Sequence, residues 1–178
     1  MKEVEITDSG EYFGGLIPHK VYIDSEIRGL YFTKPIKIKK LSKTAKVPTR
    51  GSEEAAGVDL YADLNEAIQV NPGDVLKVNT GISIAIPNGC FGGIYPRSGL
   101  ATKQGLAPAN KVGVIDSDYR GPIIVALYNH SNIPQIVHPG DRIAQLIIQP
   151  YLKFDWEEVE DLDETDRGAG GFGSTGTC

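Results

Sequence analysis

Cysteine is scarce in this chain. Cys90 and Cys178 are the only two in 178 residues, too few for a disulfide framework or a four-ligand zinc site. The three histidines, His19, His130 and His138, show no ligand spacing. No apolar run approaches the roughly 20 residues that cross a bilayer as a helix. The first stretch, MKEVEITDSGEYFGG, is acidic and has no apolar core, so it does not read as a signal peptide. Together these absences lead us to expect an intracellular, cytoplasmic protein that does not engage a membrane.

A basic excess is missing as well. The formal net charge is −5. Glu157–Asp166, EEVEDLDETD, holds seven acids and no base, and taking that −7 away leaves +2 for the rest. A nearly neutral body excludes a broad nucleic-acid-binding face. A small anionic ligand stays possible, because it needs only a local cluster of donors.

What is plentiful is glycine and proline, 21 and 11 residues. That favours short strands and tight turns over long helices. IKIKKL (36–41) alternates apolar and basic residues, the pattern of a half-buried strand. VDLYA, AIQV, VLKV, GISIAI, CFGGIY, IIVALYN and DRIAQLII follow, separated by turn chemistry such as Asn71-Pro72-Gly73-Asp74 and Pro87-Asn88-Gly89. Only Ser98–Gln104 reads as a short helix. The expected fold is all-β, a jelly-roll-like β-barrel of short strands with at most one short helix and a flexible C-terminal arm. Residues 1–35 read as an extension without a clear period, 36–156 as the β-barrel domain, 157–166 as an acidic linker and 167–178 as a Gly-rich arm.

Several segments can carry chemistry. GVIDSDYRG (113–121) reads as a β-hairpin with a polar turn. Asp116 there can orient and deprotonate a water, and Tyr119 offers a flat face to a sugar or base. The plainer reading is a surface turn with an Asp118–Arg120 pair. PRSGLA (96–101) can bind phosphate through Arg97, the Ser98 hydroxyl and backbone N–H groups, or can simply start a helix capped by Ser98. Asp59 sits inside an apolar strand and needs a partner: a buried salt bridge, or the water shell of a hard cation. GDRIAQL (140–146) reads on its own as a half-exposed strand. In RGAGGFGSTG (167–176), Gly168, Gly170 and Gly173 match G-x-G-x-x-G, but no strand precedes them and no helix follows, so the dinucleotide reading fails. No Walker A sequence occurs. A ligand flap or a plain tail remains.

Taken in order, AGVDL, PRSGLA, GVIDSDYRG, GDRIAQL and RGAGGFGSTG closely resemble the five motifs of the trimeric all-β dUTPase family, the dUTP diphosphatases. The resemblance spans about Ile36 to Gly176 and leaves out the N-terminal extension. Each motif is weak alone; five in order at fitting distances are specific. Val58 stands where many members carry tyrosine, next to the acid and not in its place.

The resemblance implies hydrolysis of dUTP to dUMP and diphosphate by water attack on the α-phosphorus. That reaction limits uracil incorporation into DNA and supplies dUMP for thymidylate synthesis. It further implies that Asp116 activates the water and that Tyr119 lies under the deoxyribose. Asn110 with backbone groups of Gly113, Val114, Ile115 and Ile124 would read uracil and the 3′-hydroxyl. Arg97, Ser98, Gly99 and Gln145 would bind phosphates. Asp59 would hold waters of a Mg²⁺ ion carried mainly by the triphosphate. Arg167, Phe172, Gly173, Ser174 and Thr175 would close over the nucleotide, and the family's homotrimer would share its sites between subunits. The rival readings are a dCTP deaminase on the same fold, a nucleotide-switched binding protein, and a structural jelly roll, which leaves the arm unexplained.

Overall fold

The computed structural model describes residues 27–28, 31–32 and 35–171. Among these residues, thirteen strands and one helix follow in chain order. Two short strands, β1 (Ile27–Arg28) and β2 (Tyr31–Phe32), pair with each other. Then come β3 (Lys37–Lys40), β4 (Val58–Tyr61), β5 (Ile68–Val70), β6 (Val75–Asn79), β7 (Ile82–Ala85) and β8 (Cys90–Tyr95). Helix α1 (Ser98–Gln104) leads to β9 (Leu106–Pro108), β10 (Gly113–Ile115), β11 (Ile124–Asn129), β12 (Gln135–Val137) and β13 (Arg142–Pro150). The all-β reading with one short helix holds.

The strands gather into small antiparallel sheets: β10-β8-β13-β4, β6-β11-β9, and the pairs β12-β5 and β3-β7. Among the described residues they do not close into one hydrogen-bonded cylinder. β13 is the organising strand, because its nine residues pair with β4 on one side and β8 on the other. The inward faces of the sheets meet in one core. Leu60, Ile82, Leu106, Ile123, Leu127 and Ile143 are its largest buried side chains, each contributing about 1.5–3 kcal/mol of burial.

One buried polar residue is fully partnered inside that core. Asn129 donates to the carbonyls of Val70 and Ile133 and accepts from the Ser131 N–H and hydroxyl. It ties β5 and β11 to the following turn, and leaves no unpaired group to penalise the burial.

Three local readings change. β3 forms where expected but is exposed along its length, because it pairs only with β7 and Ile38 faces an open groove. GVIDSDYRG is not the bend of a hairpin: β10 pairs with β8, while β11 pairs with β6 and β9. The segment crosses from one sheet to another. The helix N-cap is Arg97, extended at φ −89° and ψ 127° with no side-chain cap bond, so Ser98 is already helical. At the other end Gly105 takes φ 68°, a left-handed closing position that favours glycine.

Candidate active site

The sheet β10-β8-β13-β4 brings one group of candidates together at a single level. Tyr95, Gln145 and Asp59 lie side by side on β8, β13 and β4. Asp59 is buried, and its strand neighbour Leu60 is in the core. A carboxylate in that setting needs cations, and two reach it. Arg97 donates its Nε to Oδ1 at 2.7 Å, and Arg142 donates an NH group to Oδ2 at 3.2 Å. The buried-salt-bridge reading of Asp59 is therefore the geometry observed. Arg142, present in GDRIAQL but given no role by the sequence, belongs to this cluster.

Gln145 completes the group by donating to the Pro96 carbonyl at 2.9 Å, which holds the turn from β8 into α1. Arg97 issues from that turn, so its backbone is fixed by Gln145 and its guanidinium by Asp59. Ser98 and Gly99 are exposed beside it. The result is a positive, pre-aimed corner with unused donors, suited to phosphate oxygens.

A second group lies on the crossover from β10 to β11. Val114, Ile115, Asp116, Tyr119, Pro122 and Ile124 line a cavity of about 250 Å³. The Asp116 side chain is exposed at its rim. Its carbonyl accepts from the Tyr119 N–H at 3.2 Å, which tightens the turn. Arg120 caps the same turn by donating to the Ser117 and Tyr119 carbonyls. The Tyr119 hydroxyl donates to the Pro122 carbonyl at 3.1 Å, and this bond fixes the ring across the turn. Asn110 stands beside Gly113, where an added Cβ would come within 3.2 Å of its Nδ2. The cavity walls offer apolar side chains, a strand edge and one carboxylate. This composition suits a nucleoside, with its flat base and apolar sugar face.

The two groups do not meet within one chain. Ile115, which precedes Asp116, pairs with Gly92, three residues along β8 from Tyr95. That is about 10 Å along the strands, and the three strand spacings from β10 to β4 add about 14 Å across them.

At the C-terminal side, Thr165 to Gly170 forms a turn closed on itself. Gly168 donates to the Thr165 carbonyl and Gly170 to the Arg167 carbonyl, while the Arg167 Nε donates to the Gly170 carbonyl at 2.9 Å. Phe172, Gly173, Ser174 and Thr175 lie outside the described residues. Among the described residues, no three His, Cys, Asp or Glu side chains cluster as metal ligands do, and no helix is long and apolar enough to cross a membrane.

A family model described as dUTPase matches residues 43–176. The chain belongs to the dUTPase family. Two curated members are similar over most of their length. The deoxyuridine 5′-triphosphate nucleotidohydrolase of Desulfitobacterium hafniense is 49% identical over 135 residues, covering 75% of this chain and 89% of that one. The enzyme of the same name from Oryza sativa subsp. japonica is 51% identical over 141 residues, covering 79% and 80%. A solved structure of a mutant dUTPase from Staphylococcus bacteriophage 80alpha with dUpNHpp superposes with a TM-score of 0.73 at 26% identity, covering 81% of this chain and 99% of that one. Within the dUTPase family match lie both residue groups and the turn at Arg167.

Proposed function

We propose that this chain hydrolyses dUTP to dUMP and diphosphate, and that the crossover carrying Asp116 and Tyr119 holds the nucleoside end of the substrate. The observation that carries the reading is the cavity lined by Asp116, Tyr119 and the β10 edge, which brings a carboxylate, an aromatic ring and a strand edge onto one small volume. Asp116 orients the attacking water and takes its proton, a contribution of about 10²–10⁴-fold. The water attacks the α-phosphorus, the bond to the bridging oxygen breaks, and diphosphate leaves with the electron pair. Tyr119 lies against the sugar face and leaves no room for a 2′-hydroxyl. Asn110 and the backbone of Gly113, Val114, Ile115 and Ile124 read the uracil edge and the 3′-hydroxyl. A cytosine there leaves a buried donor or acceptor unpaired, at about 1–3 kcal/mol.

Arg97, Ser98, Gly99 and Gln145 take the phosphate side. Asp59 serves them first by aiming Arg97. The donor set around Asp59 does not suit a protein-held metal, since both of its oxygens already accept from guanidinium groups. Mg²⁺ therefore belongs to the substrate as its triphosphate complex, with Asp59 facing at most its water shell. We read 157–166 as a tether that like charges keep extended. Residues 167–178 act as the closing arm, with Arg167, Ser174 and Thr175 on phosphate oxygens, Gly173 close to them and Phe172 over the base. Residues 1–35 stand as a separate extension.

A homotrimer with shared sites fits the surface left on one chain. Leu152, Phe154 and Trp156 recur every second residue and are strongly exposed among the described residues. A groove of about 740 Å³ beside Ile36, Ile38, Val47, Val58 and Ile147 is open too. Exposed apolar side chains beside an open groove are what an interface between copies would use.

The test is diphosphate release from a panel of nucleoside triphosphates, with Mg²⁺ and then with chelator. Strong preference for dUTP over dCTP, dTTP and UTP is expected. Ammonia release from dCTP, or no preference among bases, overturns the reading.

A further inference from the structure

Tyr119 owes its position to a residue without a side chain. Its ring lies across Gly121: a Cβ added there would sit 2.6 Å from the ring's Cζ and 3.0 Å from its Cε2. Gly121 is not among the glycines with positive φ, so what the site requires is space and not a special backbone. Together with the hydroxyl bond to the Pro122 carbonyl, this makes the ring follow the Gly121–Pro122 peptide. Tyr119 as a whole is 42% exposed, so the described residues around it do not wall it in.

That peptide is held from β7. Ser83 donates its hydroxyl to the Gly121 carbonyl at 2.9 Å, and Ser83 is 8% exposed. Two residues on, Ile123 is wholly buried. It donates to the Ile82 carbonyl at 2.9 Å and accepts from the Thr80 N–H and hydroxyl at 3.1 and 2.8 Å. The Ile123 anchor secures the strand that follows. The Ser83 bond is the one that reaches Gly121, directly beneath the ring.

We propose that Ser83 is a positioning residue for sugar selection: its hydroxyl, acting through Gly121, sets the height of the Tyr119 ring and so the discrimination of deoxyribose from ribose. The inference rests on the reading of Tyr119 as the ring that faces the sugar. A glycine peptide freed from Ser83 gains backbone freedom that few other residues would. The ring then drops away from the sugar and a 2′-hydroxyl gains room. Chemistry at Asp116 is untouched, because Ser83 bonds neither Asp116 nor the turn that carries it.

The experiment measures kcat/KM for dUTP and UTP with full-length protein. The variants are Tyr119→Ala, Ser83→Ala, Ser83→Cys, Ser83→Thr and Gly121→Ala. Loss of one backbone hydrogen bond corresponds to a fall of about 5–10-fold in the dUTP/UTP ratio. That fall is expected for Ser83→Ala and for the nearly isosteric Ser83→Cys, whose thiol is a weak donor. In both, kcat for dUTP should stay within about twofold, since a merely structural serine would lower the melting temperature without moving the ratio. Ser83→Thr keeps the hydroxyl and should restore the wild-type ratio. Gly121→Ala should lower it by displacing the ring directly. If Tyr119→Ala lowers the ratio while Ser83→Ala and Ser83→Cys leave it alone, the role given to Ser83 is wrong. If Tyr119→Ala itself changes nothing, the sugar-facing reading of the ring is what fails.

Discussion

Replacing Asp59 by alanine tests whether the acid in AGVDL works as the holder of Arg97. Its side chain is 11% exposed, against 27% for Arg97 and 51% for Arg142. The 2.7 Å bond to Arg97 is short, charge-assisted and mostly out of water, worth about 1.5–3 kcal/mol. The 3.2 Å bond to Arg142 involves a half-exposed arginine that water can rescue, and adds about 0–1 kcal/mol. The expected loss is roughly 2–4 kcal/mol, a fall in Tm of about 5–15 °C for a chain of this size. Calorimetry at fixed protein concentration reads it, since the midpoint of any assembled species depends on concentration. Asp59→Asn should lose less, because the amide oxygen still accepts from one arginine while its NH₂ group faces the other. Both variants should raise KM for dUTP more than they lower kcat, since Arg97 loses its aim on the phosphates. A melting point within 2 °C of wild type for Asp59→Ala, with KM unchanged, refutes the argument, since this rigid pair would then hold nothing.

Asp116→Asn should lower kcat by about 10²–10⁴-fold while dUTP affinity by calorimetric titration is kept; comparable turnover removes Asp116 from the chemistry. Ending the chain at Asp166 should leave circular dichroism and the mass in solution unchanged and remove most activity, and full activity would make the arm a plain tail. Mixing inactive Asp116→Asn with inactive Arg97→Ala chains, after dissociation and reassembly, should restore about a quarter of the sites, one half times one half, if neighbouring chains share them; no recovery places both groups of one chain in one site. Burial in the core pushes the Cys90 thiol above its usual range. The neutral thiol's contribution to stability is therefore present below the free thiol's pKa and is lost as pH rises through the raised folded value. At pH 8, iodoacetamide should label the Cys90 peptide at least about tenfold more slowly in native than in unfolded protein.

Much of this was legible because local rules and the fold agree. CFGGIY is β8 to the residue, and Ser98–Gln104 is the helix. That Asp59 needs a cation follows from its apolar flanks alone. Which cation does not: Arg97 and Arg142 are 38 and 83 residues away in sequence, and only the β4-β13-β8 register puts them beside it. β9 and β12 are three residues each, too short to show a period, and Pro108 hides the first of them. The hairpin misreading has the same root. Strand patterns flank the polar turn at Asp116, yet pairing is decided by β8 and β6 across the fold. Ser83 gives no local signal at all, since its role exists only where β7 passes under Gly121.

The split between the two residue groups bears on how a site is completed. Arg97 is bound to Asp59 on β4, while Asp116 follows Ile115 at the far edge of the same sheet. About 10 Å along the strands and about 14 Å across them make a gap of roughly 17 Å. A hydrogen bond spans about 3 Å, and a reacting water must stand about 3–3.5 Å from the phosphorus it attacks. Neither side is free to close that gap: the Arg97 head is held by Asp59 and its turn by Gln145, while Asp116 is held by the pairing of β10 with β8 and by the Tyr119 and Arg120 bonds that close its turn. The same bonds that fix each half keep them apart in one chain. A second copy that presents its Arg97 corner to the Asp116 cavity resolves this without distorting either. The extended, acidic 157–166 segment has the length and solubility to carry an arm between such copies. On the proposed reading, sharing the site would follow from how firmly each half is built.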